Sequence, residues 1–195
     1  RSPGVDLGAR RVEGLTDRID ILVNVCGGVA RSLFENTSRA SHADNIRYNY
    51  GYHIDSCQRA IPLLKKSGQG GSIVNFTTIE AHRGAATFAV YAGAKAALTN
   101  FSRALAVELG QHQIRVNCLA SDTSPARTTN AALAPEDFER LAAVGPHAME
   151  EALKIYVPMK RAPSVEEVVD GVVFLTSDLS RTVTGQTLLV NGGNR

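Results

Sequence analysis

Four short runs rich in aliphatic and β-branched residues punctuate the chain: IDILVNV at 19–25, GSIVNFTT at 71–78, IRVNCLA at 114–120 and QTLLVNGG at 186–193. Each is apolar at consecutive positions rather than alternate ones, the pattern of a strand covered on both faces. The stretches between them carry helical spacing instead. Ile54, Cys57, Ile61 and Leu64 recur at steps of three and four, as do Leu98, Phe101, Leu105 and Leu109. Ser164 and Glu167 form a capping-box pair that opens a third helix, whose inner side is expected to hold Val165, Val168, Val169, Val172 and Leu175. Parallel strands need long crossovers, so this alternation predicts an α/β fold: a parallel sheet with right-handed connections and helices on both faces.

The long span 121–158 holds no strand-like run. Pro135 can start a short helix there and the Gly145-Pro146 step can break it. Excursions of this length between strands are usually functional, often as lids. Leu133, Phe138, Leu141, Val144, Ala148 and Met149 would give this lid an apolar inner side, suited to a partly hydrophobic molecule. The first strand would carry an apolar edge that proteins rarely leave open. The sequence begins with Arg1 rather than Met, and two explanations fit: further strands upstream, or a covering subunit. The whole chain reads as one domain, partial at its N-terminal side.

Composition removes other classes. With 195 residues, 44% of them hydrophobic, the chain can bury a core, and a formal charge of +2 without a basic patch gives no footprint for nucleic acid. Cys26, Cys57 and Cys118 are odd in number and lack a CxxC pair, which points to free thiols in a reducing compartment and away from metal binding. No run approaches the ~18 apolar residues that a bilayer requires, and no secretory signal pattern opens the chain. The expected location is the cytoplasm, and the expected partner is a small molecule rather than a membrane.

The pentapeptide YAGAK at 91–95 sets a phenol and an ammonium one helical turn apart among Ala and Gly. A tyrosine needs its phenolate favoured by about 3 pH units to exchange protons near neutrality, and a nearby cation can supply much of that. The small residues let a flat ligand approach. Thr78 closes a buried strand thirteen residues earlier, where open parallel sheets place ligands. A surface tyrosine packed on a lysine stem, and threonines that satisfy strand-end backbone, are the structural alternatives.

These residues together resemble the short-chain dehydrogenase/reductase family, from about residue 20 to the C-terminus. DILVNVCGG (20–28) is similar to the family's strand ending in Asn-Asn-Ala-Gly, and IRYNYGYHIDSCQRAIPLLKK to its central helix. SIVNFTT followed by YAGAK, then IRVN, RAPSVEEV and TVTGQTLLVNGG, complete the order. The resemblance implies a Rossmann-like sheet and an NAD- or NADP-dependent oxidoreductase that interconverts an alcohol and a carbonyl. It implies Tyr91 as general acid/base and Lys95 as the cation that lowers its pKa and bonds the nicotinamide ribose. Thr78 would orient the substrate oxygen, and Asn49 would support a water that links Lys95 to solvent. The implied cofactor contacts are Asp6, Asn24, Cys26, Gly27, Tyr91, Lys95 and Thr123. A homodimer or homotetramer is implied as well, packed partly through the Ala-rich helix bearing Tyr91.

The chain departs from the family pattern at several points. Its only glycine-rich stretch, SGQGGS at 67–72, precedes a strand and reads as a loop rather than a pyrophosphate cradle. Thr78 replaces Ser, Val25 and Cys26 replace Asn and Ala, and Ser121-Asp122 replaces Pro-Gly, which puts a charge near the nicotinamide ring. These departures motivate a second reading: a shortened family member with a non-redox role, either a cofactor-free lyase, isomerase or cyclase, or a binding module.

Overall fold

A computed structural model of the chain describes residues 16–29, 31–122 and 155–194. The expected sheet is there. Strands β1 (Ile21–Asn24), β2 (Gly71–Thr78), β3 (Ile114–Ser121) and β4 (Thr187–Val190) lie side by side in chain order. All three pairings are parallel, with Asn24 beside Asn75, Thr78 beside Ser121, and Ser121 beside Val190. The flanking runs were expected to be longer than the four residues that β1 and β4 actually contain.

Period-two alternation sorts the strand residues between two layers. On one face Ile73, Ile114 and Val116 pack with Cys57, Ala60 and Leu64 of helix α2 (Tyr52–Lys66) and with Leu105, Ala106 and Leu109 of helix α3 (Ala89–Leu109). On the other, Val74 and Leu119 meet Val168 and Leu175 of helix α4 (Val165–Thr176). The capping box that opens α4 forms as expected, with Ser164 Oγ accepting from Glu167 N and Glu167 Oε2 accepting from Ser164 N. The inner face of α4 differs from the expectation. Val165 and Val169 are about half exposed, and Gly171 points inward. A Cβ on Gly171 would lie 2.9 Å from Leu119 Cδ1, so the helix approaches the sheet more closely than any larger residue allows.

A polar seam crosses the first layer. Asn24 Nδ2 donates to Asn75 Oδ1 at 2.8 Å, Asn75 Nδ2 donates to Ser102 Oγ at 2.9 Å, and Ser56 Oγ donates to Asn24 Oδ1 at 2.7 Å. Buried amides partnered in this way fix which strand lies beside which, since a slip of one residue would orphan them. Arg115 works similarly on the opposite face, donating to the carbonyls of Leu175 (2.7 Å) and Ser177 (3.2 Å) and to Ser180 Oγ (2.8 Å). It ties β3 to the end of α4.

Ile21 and Val23 are substantially exposed on β1, whose outer edge meets no strand among the described residues. SGQGGS forms a helix end and turn that lead into β2, in agreement with its reading as a loop.

Candidate active site

The site gathers where the chain leaves β1 and β2. Helix α1 (Arg39–Ile46), opened by a Ser38–Ser41 capping box, runs into a wider π turn at Arg47–Gly51 before α2 begins. Such turns insert one extra residue and are frequent at functional sites. Asn49 sits in it, fully buried. Its Nδ2 donates to Gly28 O at 2.8 Å while its Oδ1 accepts from Gly28 N at 2.9 Å, and Nδ2 also reaches Asn45 O at 3.1 Å. The side chain is fully engaged in holding the loop after β1.

That loop forms one wall around Lys95. The lysine is 2% exposed, and its ammonium donates to Phe76 O at 2.8 Å and Cys26 O at 3.3 Å. Burial pulls it down to about 8 against the opposing pull of the Cys26 and Cys118 thiols. Gly27 makes the arrangement possible, because a Cβ there would lie 2.7 Å from Lys95 Nζ and 3.0 Å from Asn49 Oδ1. An ammonium has three donors and the two carbonyls take two. The third suits a hydroxyl acceptor, and the missing Cβ leaves room beside it, so this corner fits the ribose of a dinucleotide.

Thr78 ends β2 and caps the turn Ile79–Ala81. Its hydroxyl donates to the Glu80 carboxylate. Arg83 Nη2 holds the other Glu80 oxygen at 3.2 Å, and Arg83 Nη1 donates to Asn194 Oδ1 at 3.1 Å. Asn194 Nδ2 in turn donates to Asp122 Oδ2 at 2.6 Å. The charge of Asp122, expected beside the nicotinamide, is thus tied to the C-terminal segment. Tyr91 lines a cleft of about 320 Å³ whose opposite wall includes Ser38, His42 and Asn45, with Phe88 beside the phenol.

One expectation needs correction. Lys95 was to make Tyr91 acidic, yet the phenol lies above its ordinary value of 10.0: burial pushes it up, the Thr78 hydrogen bond opposes, and the Glu80 charge pushes further. The physical reason is burial, the largest of these effects, while the Lys95 ammonium is engaged by the Phe76 and Cys26 carbonyls. Asn24, expected against the cofactor, lies at the end of β1. Its amide is taken up inside the fold by Asn75, Ser56 and the Cys57 thiol. Cys26 presents its carbonyl to Lys95, as noted. Asp6, Thr123 and the lid residues 123–154 lie outside the described residues.

His53, Glu80 and Arg83 were missed. His53 is 1% exposed with neither ring nitrogen partnered among the described residues. Burial and the Lys95 charge hold it down to about 3. The signal was available, since His53 lies midway between Asn49 and Cys57 at four-residue steps. Among the described residues no His, Cys, Asp or Glu group could hold a metal, and no helix is long and apolar enough to cross a membrane.

Residues 5–195 match the family described as enoyl-(acyl carrier protein) reductase. The 3-oxoacyl-(acyl-carrier-protein) reductase of Chlamydia trachomatis is 33% identical over 179 residues, 90% of this chain and 65% of that protein. L-rhamnose 1-dehydrogenase (NAD(P)(+)) of Azotobacter vinelandii is 30% identical over 190 residues, 97% of this chain and 70% of that one. The crystal structure of carveol dehydrogenase from Mycobacterium avium in complex with NAD superposes with a TM-score of 0.83 at 26% identity, covering 97% of this chain and 68% of that one. The chain thus spans about two thirds of the length of the relatives it resembles. A family match over nearly its whole length, with relatives at 33% and 30% identity, means that the chain belongs to the short-chain dehydrogenase/reductase family.

Proposed function

We propose that the protein is an NAD- or NADP-dependent oxidoreductase that interconverts a small alcohol and its ketone or aldehyde. The carrying observation is the buried Lys95 ammonium, held by the Phe76 and Cys26 carbonyls at the ends of β1 and β2, on the same helix as Tyr91 and four residues after it, with Thr78 closing β2. The carboxyl ends of strands in an open parallel sheet are where such folds bind ligands. Tyr91 gives or takes the proton at the substrate oxygen. Thr78 orients that oxygen, and Lys95 holds the nicotinamide ribose. Asn49 keeps the Gly28 backbone in place and thereby the wall against which a water would link Lys95 to solvent. The cofactor supplies the hydride. Carveol dehydrogenase with bound NAD and the Azotobacter relative, whose name specifies NAD(P)(+), support the cofactor assignment.

Three unpaired thiols suit a reducing compartment, and we place the protein in the cytoplasm. A homodimer or homotetramer would use the outward stripe of α3, where Gly93, Ala97 and Ala104 are exposed. Titration calorimetry with both nicotinamide cofactors, followed by the nicotinamide absorbance change with a panel of ketones, tests the reading. Tyr91→Phe should abolish turnover and keep cofactor binding. An unchanged rate would remove Tyr91 from the chemistry, and a folded chain that binds neither cofactor would favour the non-redox reading.

A further inference from the structure

The cleft that carries Tyr91 holds chemistry that the proton transfer does not use. Its volume of about 320 Å³ lies at the small end of the range for small-molecule sites. The described lining offers hydroxyls, amides, an imidazole and aromatic rings, but no Lys, Arg, Asp or Glu. Two of these polar groups are unspent. Thr37 Oγ1 donates to Phe34 O at 2.6 Å, so in its 2.6 Å contact with His42 Nε2 the hydroxyl accepts and the ring donates. Neutral His42 therefore keeps Nδ1 as an acceptor, and its ring is stacked on Phe34 with centroids 5.2 Å apart and planes 8° apart. Thr87 supplies the second group. It occupies the third position of the turn in which Phe88 N donates to Ala85 O at 3.3 Å, and its φ is 70°. Turns ordinarily give that conformation to Gly or Asn, and it is an outlier for a β-branched residue. Ser32 N donates to Thr87 O at 3.3 Å and ties this strained turn to the loop after β1. Backbone strain collects where ligands are held. Neither His42 Nδ1 nor the Thr87 hydroxyl has a hydrogen-bond partner among the described residues.

We propose that His42 and Thr87 determine specificity by binding a second hydroxyl of the substrate, so that the protein acts on a neutral hydroxyketone and its diol in preference to a plain hydrocarbon ketone. This deepens the oxidoreductase reading and rests on it: Tyr91 works on the reacting oxygen, while the imidazole and the threonine hydroxyl bond another oxygen in the same cleft. Unspent polar groups on a cleft wall discriminate more sharply than apolar ones. A hydrocarbon ligand strips water from both and returns nothing, whereas a hydroxyl satisfies them. With no ionic side chain among the described lining residues, a carboxylate or phosphate substrate gains no counter-charge there. Arg31 lies 4.8 Å over the Phe88 ring centroid and is not among the lining residues.

Steady-state kinetics with both nicotinamide cofactors, on 2-pentanone and its 1-, 3-, 4- and 5-hydroxy derivatives, compares substrates that differ by one hydroxyl. At least one derivative should exceed 2-pentanone in kcat/KM by about tenfold or more. His42→Phe keeps a ring against Phe34, and Thr87→Gly suits the positive φ. Each should cut the kcat/KM ratio about tenfold, and Thr87→Ser should retain it. Damage to the fold would lower both substrates in proportion and leave the ratio unmoved. Thr87→Gly should also hold or raise the urea midpoint, because Gly takes this φ without strain; His42→Leu repeats the test if Phe perturbs the fold. Ligand-observed NMR with the corresponding diols against 2-pentanol reads the same preference without turnover. Turnover of 2-pentanone with no hydroxylated ligand favoured, or a ratio unmoved in both variants, would overturn the proposal and leave the oxidoreductase reading in place. A diol preference that both variants abolish, in a chain that reduces no ketone, would keep the hydroxyl assignment and discard the oxidoreductase reading. Neither turnover nor preference would discard both.

Discussion

Replacing Lys95 with Met tests the cost of holding a cation where water cannot reach it. Burial takes this ammonium from its ordinary 10.5 to about 8. At about 1.4 kcal/mol per pH unit, the charged form weakens the fold by about 3 kcal/mol relative to the neutral one. The sign follows from linkage: with the folded value below the unfolded one, the unfolded chain binds the proton more readily, and stability rises with pH between about 8 and 10.5. The native protein should regain about 2.5 kcal/mol from this group between about pH 7 and pH 10. Lys95→Met should regain none of it. At neutral pH the variant's advantage is smaller than the full amount, because the Phe76 and Cys26 carbonyls lose their donor at about 1–2 kcal/mol each. Urea unfolding of both proteins at the two pH values provides the measurement. Buried thiols and phenols titrate in the same range, Cys57 being pushed up to about 11 by burial, but they are common to both proteins and cancel in the difference. Equal pH dependence in the two would refute the argument.

His53 should act on the acid side. Its value falls from 6.5 to about 3, so the stability it confers is present above about 6.5 and lost as pH falls toward 3, by at most about 4–5 kcal/mol. His53→Leu should flatten the acid limb of a urea-midpoint profile; an unchanged limb would mean that the ring is solvated. Gly27→Ala should displace the Lys95 ammonium, since the new Cβ would lie 2.7 Å from Nζ, and destabilise the chain by about 1–3 kcal/mol in urea. Arg115→Met should cost about 2–4 kcal/mol and speed amide exchange at the end of α4, because three hydrogen bonds to that end are lost.

The strands were legible because a parallel sheet covered on both sides demands continuous apolar runs, and IDILVNV and GSIVNFTT have no other comfortable fate. Ser164 and Glu167 were legible as well, since a capping box is a local device whose two halves lie three residues apart. The inner face of α4 was less so. Hydrophobicity alone favours Val165 and Val169, but proximity to the sheet is decided by Gly171, which has no side chain to announce it. Tyr91, Lys95 and Thr78 could be paired by spacing. The partners of Lys95 could not, because Phe76 and Cys26 offer backbone carbonyls that any residue type would carry. Glu80 escaped for a different reason: a single acid after a strand is ordinarily a solvated charge, and its partners, Thr78 two residues back and Arg83 three residues on, are brought to its two oxygens by the local turn at Ile79–Ala81.

The π turn at Arg47–Gly51 divides one long helical run into two sections whose side-chain directions are set separately. Downstream, Cys57 and Leu64 answer to the sheet; upstream, Ser38, His42 and Asn45 answer to the cleft. A continuous helix would couple these demands, since rotating one end rotates the other. With the joint in place and Asn49 clamping it to Gly28, the upstream section can exchange residues to suit a new ligand while the scaffold behind it stays in register. Diversification of specificity is thereby separated from the requirement to remain folded.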